Sequence, residues 1–329
     1  MNILYGIQGT GHGHISRARE IVPYLAQKFN VDVAISGYNT KLELDEIPIS
    51  YRFKGLSFVY GSGGIMFGKS LKKLNLHQFY NDVRSFNLNK YDLVISDFEP
   101  VSAWAARRQN IPSLNMSHQA SFMSEHTPRP EKINVIAENI MRHFAPCKDA
   151  LGFHFEQYDE FILPPIIRSE VRELNPYKAR HVTVYLPAFS PKQLTELFSQ
   201  FDQMEWQVFS PYVDEDIRTG SVNIMPIDNQ RFLKSLEGCV GLMTSSGFEA
   251  CAEALYLKKK LFSIPIQNQY EQYCNAAALE KMGVEVMQKV NGDMDMRVER
   301  WLNSEQLPEL RSYSTAEDVF KVFSSRFVV

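Results

Sequence analysis

The segment from Gly241 to Gly283 constrains this chain more than any other. An apolar run ends at Thr244, the small residues Ser245, Ser246 and Gly247 follow, and Phe248 to Tyr256 has helical spacing. A second apolar run, Leu261 to Ile266, meets the polar loop Gln267, Asn268, Gln269, Tyr270, Glu271, Gln272 and then another helical stretch. Strand, crossover helix and strand within so few residues require parallel pairing, with the connecting turns at the carboxyl edge of a sheet. A helix that begins after small hydroxyl residues presents unpaired N–H groups and a positive dipole end, which suits a phosphate. The amide-rich loop suits sugar hydroxyls, although an ordinary βαβ repeat with a solvated loop would read the same way.

The same alternation runs through the rest of the chain. Asn2 to Ile7, Ser16 to Phe29 and Val31 to Ser36 read as strand, helix and strand; Tyr91 to Ser96, Val101 to Arg108 and Pro112 to Met116 repeat the order. Pro164 and Pro165 interrupt the series and mark an extended connection. It resumes with the strand His181 to Leu186, the helix Pro191 to Phe201, the strands Trp206 to Phe209 and Val222 to Met225, and the helix Asn229 to Leu236. The expected fold is therefore α/β, with two doubly wound, Rossmann-like domains facing each other across a cleft. Residues 1–163 would form the first domain and 164–312 the second, with residues 313–329 as a C-terminal helix that could pack back on the first. A length of 329 residues accommodates two such cores.

Charge and cysteine usage exclude several function classes. A formal net charge of −3 supplies no global basic field, so no nucleic-acid partner is expected. Cys147, Cys239, Cys251 and Cys274 are scattered, with no CxxC pair, as in a reduced cytoplasmic protein. No stretch reads as a signal peptide or a membrane span. The stretch Gly64 to Tyr80 mixes Met66, Phe67, Leu71 and Leu74 with Lys69, Lys72 and Lys73, which could make a peripheral contact at the inner face of a membrane.

The first strand leads into Gly9, Thr10, Gly11, His12, Gly13 and His14. Glycines at this turn let backbone approach a ligand. The pattern is not a dinucleotide fingerprint, because the glycines run GxGxG and the second strand ends without a carboxylate; no GxxxxGK[ST] loop is present either. His12 and His14 are each open to a structural reading. As a metal pair they would need further ligands, and Asp97 and His118 come without a spacing that specifies them, so no metal is expected. As catalytic groups, His14 precedes a helix and could serve as a general base, and Asp97, ending a neighbouring strand, could hold its second ring nitrogen. Asp97 could equally cap the helix near Val101.

Three motifs, GTGHGHIS, YDLVISDFEPVSAWAARRQNIP and TSSGFEACAEAL with PIQNQYEQYCNAAALEKMG, together resemble the GT-B fold glycosyltransferases. The nearest likenesses are the bacterial transferase that adds N-acetylglucosamine to lipid I and the inverting glucosyl and glucuronosyl transferases. The resemblance implies a nucleotide-sugar donor, a UDP-sugar, and an acceptor that is a lipid, a glycan or a small molecule. It implies His14 as catalytic base, Asp97 as its orienting partner and His12 as a second catalytic candidate. Donor contacts would come from Gly13, Ile227, Ser245, Ser246, Gly247, Phe248, Glu253, Gln267, Glu271 and Gln272. Of these, Glu253 would hold the ribose, Glu271 and Gln272 the sugar, and Ile227 the uracil edge. Gly11 and His118 would lie on the acceptor side. Two departures stand out: Thr244 occupies a place where the family often has a basic residue, and the loop from Leu186 to Pro191 is not glycine-rich. The residues eight beyond Glu249 and Glu253 are Leu257 and Leu261, so the paired glutamates of retaining members are absent and inversion is expected. A nucleotide-sugar 2-epimerase and a non-catalytic nucleotide-sugar binding protein are the alternative readings.

Overall fold

A computed structural model describes residues 1–10, 13–37, 48–56, 60–61, 64–65, 75–305 and 307–327. Gly11, His12 and the lysine-bearing residues 66–74 lie outside the described residues. The first half contains β1 (Asn2–Gln8), α1 (Gly13–Ala26), β2 (Asn30–Ser36), β3 (Ile49–Phe53), the short pair β4 (Tyr60–Gly61) and β5 (Gly64–Ile65), and α2 (Leu76–Ser85). It continues through β6 (Leu93–Asp97), α3 (Pro100–Gln109), β7 (Ser113–Ser117), a 3₁₀ turn (Gln119–Met123), α4 (Val135–His143), β8 (Asp149–Phe153) and β9 (Ile162–Leu163). Seven strands pair in the order β3-β2-β1-β6-β7-β8-β9, every pair parallel. The order reverses between β1 and β6, so the loops that follow these two strands open into the crevice where ligands of such sheets bind.

The second half repeats the plan. Its elements are α5 (Ser169–Arg172), β10 (His181–Tyr185), α6 (Pro191–Phe198), β11 (Glu205–Ser210), β12 (Ile217–Thr219), β13 (Val222–Pro226), α7 (Asn229–Gly238), β14 (Gly241–Thr244), α8 (Phe248–Tyr256), β15 (Lys260–Ser263), α9 (Tyr270–Lys281), β16 (Glu285–Val286) and α10 (Met294–Asn303). They build the sheet β12-β13-β11-β10-β14-β15-β16, in which β12 alone runs antiparallel. That edge strand is fully exposed and has no apolar alternation, which is why the sequence pattern does not reveal it. Here the order reverses between β10 and β14, again with two loops over the crevice.

Central strands β6, β7 and β14 are buried along their whole length, as expected where helices cover both faces of a parallel sheet. One apolar cluster joins the two sheets: Ile3, Tyr5 and Ile7 of β1 connect through α1 and Phe153 to Phe248, Cys251 and Leu255 of α8. The final helix, α11 (Ala316–Phe327), packs on α1, with Phe320 against Tyr24 and Phe29. The chain thus passes between the halves twice, and the two passages are hydrogen-bonded: Ser314 N–H donates to the Pro165 carbonyl at 2.8 Å, and Ile166 and Ser314 form a parallel bridge. No helix among the described residues is long and apolar enough to cross a membrane.

Candidate active site

His14 and Asp97 meet because β1 and β6 are neighbours. Register pairs Ile7 with Asp97, so the carboxylate at the end of β6 stands beside the turn that leads from β1 into α1. His14 Nδ1 lies 2.7 Å from Asp97 Oδ1. A carboxylate only accepts, so Nδ1 carries the proton and Nε2 keeps its lone pair. Asp97 is fully buried. Burial works against its charge, but Arg17 and His14 outweigh that effect and hold the carboxyl below its usual range.

Asp97 does not cap α3. Glu99 does, accepting from Val101 N at 2.7 Å and Ser102 N at 2.7 Å, and Asp97 is left for the site. Between them Phe98 sits at φ 55°, a left-handed conformation that costs a bulky residue about 1–3 kcal/mol. This kink sends successive carboxylates in different directions. The Phe98 ring lies parallel to the His14 imidazole and stacks on Phe144.

Arg17, three residues after His14 and therefore on the same face of α1, escapes the sequence reading. It is buried, with Nε 2.8 Å from Asp97 Oδ2 and Nη2 2.7 Å from Oδ1. Its third nitrogen, Nη1, crosses to the other half of the chain and donates to Glu249 Oε1 at 2.8 Å. The Glu249 carboxylate also lies over Gly13, where any Cβ would run into it.

On the donor side, β14 ends at Thr244 and leads into Ser245-Ser246-Gly247, and α8 starts with no side-chain cap hydrogen bond at Gly247. Ser246 is buried, its hydroxyl 2.7 Å from Ser263 Oγ and its carbonyl accepting from Asn275 Nδ2, so what it presents to a ligand is backbone. Phe248, the first residue of α8, faces inward and stacks on His118. His118 is buried, with Nδ1 2.8 Å from the Phe153 carbonyl and Nε2 2.8 Å from Asn275 Oδ1. Burial pushes its pKa down, with Glu271 and the Phe153 carbonyl pulling the other way. Glu253 is also buried and receives two hydrogen bonds from Arg168, at 2.6 and 3.0 Å. Burial raises its carboxyl above the ordinary range despite that partner. Arg168 also reaches Asn229 Oδ1 at 2.9 Å, which ties the connection between the halves to the start of α7.

The loop before α9 is braced internally. Gln272 Oε1 accepts from Ile266 N at 2.8 Å, and Gln267 donates to the Gln288 carbonyl at 2.7 Å. Strand β15 ends at Ser263, so Ile264 to Ile266 belong to this loop and not to the strand expected through Ile266. Glu271 accepts from Gln119 Nε2 at 2.9 Å, another contact between the halves. Ile227 follows β13 and is exposed. A cavity of about 350 Å³ lies beside the turn, lined by Leu186, Phe189, Ser245, Pro265, Gln267 and Val290 among others. Two facing sheet edges therefore bring together a histidine–carboxylate pair, an uncapped helix start and a cavity of ligand size.

The model of glycosyl transferase family 1 matches residues 1–305. The chain belongs to that family. No curated protein matches it. Solved structures similar to this glycosyl transferase include the glycotransferase of kitacinnamycin, at TM-score 0.66 and 14% identity, over 99% of this chain and 98% of that one. CalG4, the calicheamicin glycosyltransferase, aligns at TM-score 0.64 and 14% identity over 100% and 99% of the two chains. MurG of Acinetobacter baumannii aligns at 0.60 and 13% over 98% and 99%. At these identities the likeness establishes the GT-B fold of this family 1 transferase. Its residues beyond the shared fold, above all Arg17, Glu249 and Arg168, have to be read from their own contacts.

Proposed function

We propose that this transferase moves a sugar from a nucleoside-diphosphate donor, a UDP-sugar, to an acceptor hydroxyl with inversion. The observation that carries the reading is the 2.7 Å contact of His14 Nδ1 with the buried Asp97, which leaves Nε2 free as a base. Nε2 takes the proton of the acceptor hydroxyl as its oxygen attacks the anomeric carbon. The bond from that carbon to the diphosphate oxygen breaks, and its electron pair leaves with the nucleoside diphosphate. Charge growing there is met by the N–H groups at the start of α8, without a metal. Imidazolium forms beside Asp97, whose charge stabilises it.

Residues 1–163 serve the acceptor side and 164–312 the donor side. The cavity beside Ser245 and Gln267 has room for a sugar ring, and Glu271 and Gln272 border the same loop. Glu253 holds the ribose once Arg168 shares its carboxylate. The acceptor is a lipid, a glycan or a small molecule, met in the cytoplasm where activated sugars are made; the lysines at 69, 72 and 73 are the candidates for contact with a membrane surface.

A panel of nucleoside-diphosphate sugars, each incubated with and without an acceptor library, tests this. Release of UDP and a product whose anomeric coupling by NMR is opposite to the donor's is the expected result. Retained configuration, or a donor sugar converted to its 2-epimer without release of nucleotide, would overturn it.

A further inference from the structure

Thr244, Ser245, Ser246 and Gly247 contain no cation, and neither does the loop from Leu186 to Ser190. A departing diphosphate would gain charge at a turn whose own residues are uncharged, with Lys289 on the wall of the adjoining cavity. Yet a guanidinium reaches this region from the other half: Arg17 Nη1 bonds Glu249, the second residue of α8. Arg17 is anchored from behind, since Nε and Nη2 both donate to Asp97 and its side chain is 3% exposed. The Glu249 side chain is 28% exposed, so the carboxylate can leave while the cation cannot. That carboxylate now sits between Arg17 and Gly13, the first residue of α1. It lies beside the start of a helix that has no acidic residue of its own in its first turn. A crevice of about 10 Å³, lined by Ser16, Arg17, Arg168, Glu249 and Glu253 among others, adjoins the pair.

We propose that the Glu249 carboxylate occupies an anion seat that the donor diphosphate takes over, and that Arg17 Nη1 is the cation that neutralises the leaving group. The inference rests on the donor reading above. Exchange of one anion for another keeps Arg17 paired throughout, so no buried charge is left bare at any stage. As the bond from the anomeric carbon to oxygen breaks, the electron pair moves onto the diphosphate, and the hydrogen bond from Nη1 strengthens in step. The supply of this cation from across the cleft also makes leaving-group stabilisation depend on the two halves being together.

Calorimetric titration of the full chain with UDP tests the proposal, with ADP, GDP and dTDP run in parallel. In Glu249→Gln the competing charge is gone while the Arg17–Asp97 contacts stay, and UDP affinity should rise about tenfold, the worth of roughly one charge-assisted hydrogen bond. In Arg17→Met it should fall about tenfold or more, and Arg17→Lys should recover part of the loss. Unchanged or weaker UDP binding by Glu249→Gln overturns the proposal, even if Arg17→Met proves unfolded. Wild-type affinity in a folded Arg17→Met does so as well. If the wild type binds none of the four nucleotides, the donor reading fails and this one with it; if it binds one of them and Glu249→Gln does not respond, this proposal alone fails.

Discussion

The His118 imidazole lies flat on the Phe248 ring, with centroids 3.9 Å apart and planes 7° from parallel. A residue that directly follows β7 of the first sheet thereby rests on the opening residue of α8. The same ring faces oxygen acceptors on both sides, the Phe153 carbonyl and Asn275 Oδ1, and Asn275 in turn donates to the Ser246 carbonyl. One imidazole thus fastens the phosphate turn to the opposite half of the molecule.

His118→Phe keeps the stack and strands the buried acceptor that the single N–H of the neutral imidazole serves, whereas His118→Ala loses the stack as well. The expected loss of unfolding free energy is about 2 kcal/mol for the first and larger for the second, from the cost of unsatisfied buried groups. Urea denaturation reads both values. Equal stability of His118→Phe and wild type would show that the imidazole hydrogen bonding contributes nothing.

For the proposed base, His14→Ala should slow single-turnover transfer by about 10² to 10⁴ with little change in UDP affinity. His12→Ala is the matching control. Transfer at the wild-type rate by His14→Ala would remove the assignment.

Acidification should separate Asp97 from the other buried carboxylates. Its folded-state pKa is depressed, with burial opposing and Arg17 and His14 prevailing. Its contribution to stability is therefore present above the unfolded value, about 3.9, and is lost as pH falls through the folded value. Glu253 and Glu99, raised chiefly by burial, run in the opposite sense. The difference in unfolding free energy between wild type and Asp97→Asn should accordingly be largest near neutral pH and narrow below about pH 4. Urea curves at several pH values check it, and a gap that does not change with pH would contradict it.

Arg168 and Glu253 form a buried pair whose halves are not equivalent to their sum. Arg168→Leu leaves the Glu253 carboxyl buried without its partner, at a cost of about 3–5 kcal/mol, and a double change to Leu at both positions should recover much of that loss. Guanidinium unfolding of the two variants gives the comparison. A double variant no more stable than the single would mean that shape, not charge, governs the site.

Much of this arrangement was legible in the chain. The alternating strands and helices give the two sheets, and the rule that ligands gather at carboxyl edges places Asp97 with His14 and the turn at Gly247 opposite them. Helix starts were less exact: α1 begins at Gly13, three residues before the expected start at Ser16, because glycine carries no periodic signal. Asp97 read equally as a site residue or as the cap of α3, and Glu99, not expected in that role, takes the cap beyond the kink at Phe98. The bond from Arg17 to Glu249 spans 232 positions and leaves no local trace. A clue existed in the three-residue spacing of His14 and Arg17, which puts a cation on the face of a helix that must point inward. Glu253 and Arg168 hide for the same reason, since the glutamate alone suggests a ligand contact and its partner lies in the connection between the halves.

That connection has a mechanical consequence. The outgoing strand at Pro165–Ile167 and the returning strand at Ser314 are laced side by side, so the halves hang from a pair of adjacent knuckles. Separation of the halves at this joint would break the bond between Arg17 and Glu249, so that contact forms only when the halves are together.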